Sequence, residues 1–115
     1  MNLMSAPLAI ALVALCAITA PARAGAPEGR QKAALCATCH GPLGQAAMPN
    51  TPHLAAQPEQ YLVDQLKAYR SGKRSHEIMS LIAKPLTDAE IADLAAWYAS
   101  LQIEVKPVPD RKSVV

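Results

Sequence analysis

Two cysteines three residues apart, with a histidine directly after the second, restrict what this chain can become more than any other feature: Cys36-Ala37-Thr38-Cys39-His40. On a helical turn, positions i and i+3 share one side. Both thiols therefore face the same way, and the His40 imidazole follows within reach of whatever they hold. The rest of the chain explains why something must be held. Of the 91 residues after Ala24, 41 are apolar and fifteen of those are alanine, with one Trp, three Tyr and no Phe. A domain of this size is marginal even with a good core, so the interior needs filling by something other than its own side chains.

The same arithmetic removes several classes. A length of 115 residues leaves room for one domain. Three Cys are too few for a multi-disulfide scaffold, and a formal charge of +2 is too small for a nucleic-acid binder. Leu8 to Ala20 carry no charge and read as the apolar region of an export signal, followed by the small-x-small site Ala22-Arg23-Ala24. The expectation is a signal peptide over 1–24, cleaved after Ala24. Its n-region lacks Lys and Arg, which departs from the usual pattern. The apolar stretch, with Ser5 and Pro7 upstream, is too short to span a bilayer well. Cys16 would leave with the signal, since Leu15 stands where lipid attachment requires a small residue. The exported part then keeps Cys36 and Cys39 in a disulfide-permissive compartment.

With no internal repeat and no alternating apolar pattern of strand type, the fold class is all-α. The Ala-rich stretch from Glu28 to about Cys39 predicts a first helix, stopped by Gly41-Pro42. Pro42, Pro49, Pro52 and Pro58 make the following segment a long loop, of the kind that is usually functional or disordered. Pro58 is expected at the first position of a helix carrying Leu62, Leu66 and Tyr69 at helical spacing, with Gly72 as its stop. Ser75 is expected to cap a short helix through Ala83, ended by Pro85. In the last helix Thr87 and Glu90 have capping-box spacing, Leu86 and Ile91 that of a hydrophobic staple, and Ile91, Leu94, Ala95, Tyr98 and Leu101 form the buried stripe. The domain is expected over 25–103, with 104–115 an extended tail containing Pro107 and Pro109.

Cys-x-x-Cys-His is the pattern of covalent haem c attachment. Two thiols on one side can add to the two vinyl groups along one haem edge, and His40 can swing its imidazole under the iron. One haem c per chain would also supply the missing apolar bulk. A thioredoxin-type dithiol would need a βαβ pattern, which is absent, and a zinc site would need two further ligands. His53 and His76 could be proposed for that purpose, but there is no second Cys pair. A proximal His leaves a sixth iron position. Met48, Met79, His53 and His76 are the candidates. Met48 lies eight residues after His40, which leaves little chain for crossing to the opposite face, whereas Met79 lies 39 residues on with a loop and a helix between. Spacing thus favours Met79, with His76, one helical turn earlier, as its main competitor. Met79 among Ile78, Leu81 and Ile82 also reads as an ordinary core residue.

From about Arg30 to Leu101 the chain resembles a class I c-type cytochrome, close to small bacterial monohaem carriers and to single haem domains of dihaem periplasmic cytochromes. The matching stretches are CATCHG, PHLAAQPEQYLVDQLKAYRSGKR, and the run from Met79 through LTDAEIADLAAWYASL. The resemblance implies three to four helices and a long loop wrapped round a covalently bound haem. It implies thioether links at Cys36 and Cys39, axial ligation by His40 and Met79, a hydrogen bond from the His40 ring to the Pro52 carbonyl, and packing of Leu54 on the haem. It also implies that the first and last helices cross, with small residues such as Ala33 facing Trp97 or Tyr98. Ala56 departs from the family, which often carries glycine there.

If both axial positions are filled by the chain, only outer-sphere electron transfer remains. The expected function is a periplasmic one-electron carrier, not an enzyme, with redox protein donors and acceptors as partners, no nucleic acid and no membrane span in the mature form. The alternatives are a non-catalytic haem subunit of a periplasmic oxidoreductase complex and a haem enzyme with a labile sixth ligand. Lys67, Arg70, Lys73, Arg74 and Lys84 form a locally basic region, partly countered by Asp64 and Glu77. It reads either as a docking rim for acidic partners or as a solvated helix face.

Overall fold

A computed structural model describes residues 25–103 and Val105. The expected signal segment, with Cys16, and the tail beyond Ile103 apart from Val105 lie outside the described residues. Five helices follow in order: α1 (Ala26–Lys32), α2 (Ala34–His40), α3 (Glu59–Ser71), α4 (Met79–Ala83) and α5 (Asp88–Ser100), with no strand among the described residues. The all-α expectation holds.

Local chemistry sets the boundaries. The first expected helix begins earlier, at Ala26, because Pro27 suits the opening turn. It is also divided at Ala33, whose carbonyl accepts from the Cys36 and Ala37 amides, at 3.0 Å each. The i−3 bond tightens that turn and separates α1 from α2. Pro58 has ψ 131°, so it precedes α3 instead of opening it, and Glu59 is the first helical residue. Gly72, at φ 80°, ends α3 as expected. Ser75 does not cap the short helix, which begins at Met79 with His76 holding the turn before it. At α5 the expected capping box is complete: the Glu90 amide donates to Thr87 Oγ1 at 3.2 Å, and the Thr87 amide donates to Glu90 Oε2 at 2.9 Å.

Packing centres on the crossing of α1 and α5. Gly29 marks a close approach: a Cβ there would overlap the Asp93 carbonyl oxygen and lie 2.7 Å from Trp97 Cβ. Asp93, itself buried, accepts from the Gly25 amide at 3.0 Å and lies 3.9 Å from Lys32 Nζ, fastening the start and end of α1 to α5. Ala33 joins Leu62, Leu94, Ala95 and Tyr98 in the core, as the small-residue expectation required. Helix α3 packs on α5 and α4, and Arg70 reinforces that arrangement by donating to the Leu86 carbonyl at 2.8 Å and to the Asp88 carboxylate. The Arg70 guanidinium, by hydrogen bond and charge, holds the Asp88 carboxyl below its ordinary value. Ile91 is the only large side chain fully withdrawn from solvent among the described residues, so the interior is as thin as the composition implied.

Ala56 stands in a left-handed conformation, φ 60°, while its amide donates to the Tyr98 carbonyl at 3.0 Å. A Cβ costs roughly 1–2 kcal/mol there, part of which is offset because alanine restricts the unfolded chain more than glycine does. Ala56→Gly is therefore expected to raise stability by about 1 kcal/mol, read as a higher denaturant midpoint of the haem-loaded protein. A lower midpoint would mean that this residue does not adopt the left-handed turn.

Candidate functional site

The site grows from the end of α2. Cys36 and Cys39 are half-buried free thiols one helical turn apart, and His40, the last helical residue, is only 7% exposed. Gly41 turns the chain sharply at φ 79°, where any Cβ would also strike the Gln45 carbonyl. The proline-rich loop then folds back upon itself. The Ala47 amide donates to the Cys39 carbonyl at 3.1 Å, and the Gly44 carbonyl accepts from Leu54 at 2.7 Å and Ala55 at 3.0 Å. His53, exposed, closes the loop by accepting from the Ala46 amide at 2.7 Å.

This folding brings Pro52 to His40. The Pro52 carbonyl lies 2.9 Å from His40 Nδ1. A carbonyl only accepts, so Nδ1 carries the proton and the Nε2 lone pair is available to a metal. Leu54 is half-buried and packs against the core cluster. Cys36, Cys39, His40, Pro52 and Leu54 are thus carried by one helix end and the loop that returns to it.

Burial works against Cys36 as a reactive thiol. Burial pushes the Cys36 thiol up, outweighing the lowering effect of the Tyr98 hydroxyl beside it. A redox dithiol needs the opposite shift. Among the described residues no group of three or more His, Cys, Asp or Glu is placed to hold a metal ion. Burial, followed by the neighbouring Cys36 sulfur, raises the Tyr98 phenol as well. Its hydroxyl is buried, with the Cys36 sulfur beside it.

Met79 opens α4 and is half-buried. Helices α2 and α4 do not touch: α2 contacts α1, and α4 contacts α3. The segments bearing His40 and Met79 are therefore held apart, each by a different helix of the scaffold. Apolar side chains adjoining them remain open to solvent, with Leu43 60%, Ile78 55% and Leu81 71% exposed. Met48 lies half exposed in the loop. A large, flat, apolar group suits these observations: uncovered apolar residues, a thin core, paired thiols, and an imidazole with its coordinating nitrogen free.

Two contributors to the site's placement were missed in the sequence, Gly29 and Asp93. The signal for Gly29 was present, because Gly25, Gly29 and Ala33 recur every four residues on one face. Asp93 carried no comparable signal, since a carboxylate in the last helix reads as solvated until its partners are known.

A sequence profile described as Cytochrome c matches residues 26–102. The chain belongs to the cytochrome c family. It is 41% identical over 78 residues to cytochrome c-554(548) of Halomonas halodenitrificans, covering 65% of this chain and 94% of that protein. It is 41% identical over 104 residues to a thiosulfate dehydrogenase electron acceptor of Thiomonas intermedia, covering 89% of this chain and 46% of that protein. The crystal structure of reduced cytochrome c4 from Pseudomonas stutzeri superposes with a TM-score of 0.65 at 34% identity, over 70% of this chain and 47% of that one. The chain spans less than half the length of several curated relatives it matches. The fold is that of the class I cytochromes c, and the cofactor of this cytochrome c domain is a c-type haem, one for the single domain.

Proposed function

We propose that the chain is a periplasmic one-electron carrier and not an enzyme. In this reading Cys36 and Cys39 hold the haem through thioether bonds, and His40 and Met79 are its axial ligands. The observation that carries the reading is the 2.9 Å hydrogen bond between His40 Nδ1 and the Pro52 carbonyl, which orients the imidazole and leaves Nε2 as the coordinating atom. The haem supplies a reversible one-electron couple at its iron. The chain's residues do the rest. Cys36 and Cys39 would tether the group, Pro52 holds the ring of His40, Leu54 would cover its apolar surface, and Met79 would supply the second iron ligand and so keep substrate from the metal. Its thioether raises the reduction potential relative to a second histidine. The working domain is 25–103 and the first 24 residues direct export, a placement supported by the apolar run and its small-x-small site. No described helix is long and apolar enough to cross a membrane.

Met79→Ala tests the ligand set. The ferric, haem-loaded variant is expected to lose the sulfur-to-iron absorption band at the red end of the spectrum, to fall in potential and to bind cyanide rapidly. If it keeps a six-coordinate low-spin spectrum and its original potential, Met79 is not the ligand. A wild-type high-spin spectrum with rapid cyanide binding would favour an enzyme instead. The second reading, a haem subunit that takes electrons within a larger periplasmic oxidoreductase, is favoured by the name of the Thiomonas relative. It requires stoichiometric co-purification with a dehydrogenase from periplasmic extract, whereas a free carrier elutes alone.

Redox partners follow from electron transfer, and the basic residues are the candidates for meeting them. Arg70 is occupied by Leu86 and Asp88, while Arg74 donates to Gln65 at 2.6 Å and lies 4.7 Å from the Tyr69 ring centroid. Lys67 and Lys73 are exposed along one groove, with Asp64 and Ser71. Charge reversal at both lysines is expected to slow reduction by an acidic partner about tenfold at low ionic strength, with the difference vanishing in high salt. Unchanged rates and an unchanged salt dependence would remove these lysines from docking.

A further inference from the structure

His76 invites attention first as a rival ligand, but its contacts give it other work. Its Nδ1 accepts from the amides of Ile78 and Met79, at 3.2 Å each. The His76 carbonyl accepts from the Ser80 amide at 3.0 Å, and the His76 amide donates to Ser80 Oγ at 3.0 Å. This is the logic of an N-cap: the carbonyl takes the first helical hydrogen bond while the side chain takes the two amides that follow. Ile78, at φ −89° and ψ −50°, already has helical backbone, so the cap operates one turn before the first residue of α4. The usual capping residues are Ser, Thr, Asp and Asn, and Ser75 stands next in sequence, yet the imidazole does the capping.

We infer that His76 is a positioning residue for the sixth iron ligand: it fixes the amide of Met79 through Nδ1 and, locked reciprocally to Ser80, holds the start of α4 so that the thioether stays on the iron. The inference rests on Met79 being that ligand. It gives the residue between loop and helix a defined task. Without the cap, the amides of Ile78 and Met79 lose their acceptor, and the first turn of a five-residue helix has little else to hold it. Opening of that turn carries Met79 away from the iron and exposes the axial position. Since Nδ1 acts as acceptor, an asparagine whose side-chain oxygen occupies the same place serves equally well as a cap, though it offers no imidazole.

The experiment follows cyanide binding to the ferric, haem-loaded protein at low cyanide, where the rate reports how often the sixth position opens. His76→Ala is expected to keep the wild-type resting spectrum and bind cyanide about fivefold faster, the factor given by loss of an N-cap of ordinary strength. His76→Asn is expected to return the rate to that of wild type, and Ser80→Ala to raise it by a smaller factor. Met79→Ala sets the upper limit, and adding His76→Ala to it changes nothing further. An unchanged rate in His76→Ala, or an asparagine variant as fast as the alanine one, overturns the inference. Loss of the low-spin resting spectrum in both His76 variants also overturns it, since it would make the imidazole itself a ligand. If Met79→Ala binds cyanide as slowly as wild type, the ligand assignment fails instead, whatever His76 does.

Discussion

Gly29→Val is expected to destabilise the haem-loaded protein by about 3 kcal/mol or more and to cut the yield of haem-bearing protein sharply. The first added carbon already overlaps the Asp93 backbone, which cannot swing aside as a side-chain tip would. Relief requires α1 and α5 to separate, which strains the hydrogen bond from Gly25 to Asp93 and opens the core beside Ala33 and Tyr98. The damage then reaches the site, because α2 runs on directly from α1 and its Cys36 packs against that same core cluster. A denaturant midpoint for Gly29→Val equal to that of wild type would show that the crossing has room to spare.

His40→Ala is expected to abolish the low-spin spectrum and to leave little stable holoprotein. The imidazole is buried and its Nδ1 is committed to Pro52. Removal leaves the Pro52 carbonyl without its donor and, in the proposed centre, the iron without its proximal nitrogen. Cysteine attachment can still proceed, so a high-spin species that stays coloured after denaturation separates loss of ligation from loss of tethering. Retention of the wild-type spectrum would assign the proximal role elsewhere.

The readable features of this chain were local. Cys36, Cys39 and His40 are fixed by adjacency, the prolines between Gly41 and Pro58 announce the loop, and Thr87 with Glu90 marks a helix start through contacts three residues apart. The family pattern added Pro52, which motif spacing alone could not have paired with His40. The unreadable features depend on neighbours distant in sequence. Arg70 looks like a free surface charge until the Leu86 carbonyl is placed beside it, 16 residues on. Asp93 looks solvated until α1 lies over it. Ser75 has the chemistry of a cap, but His76 has the geometry, and only the course of the backbone into α4 distinguishes them. The division at Ala33 reflects a single tightened turn that propensity does not register.

The account stands on a prosthetic group joined to Cys36 and Cys39 that completes an otherwise thin interior. The most direct measurement is the intact mass of the chain, purified under denaturing conditions from a host able to mature c-type cytochromes, together with titration of its thiols. The account predicts the mass of the polypeptide plus one haem, with neither Cys36 nor Cys39 reactive. A mass equal to the bare polypeptide, with both thiols free, would contradict it.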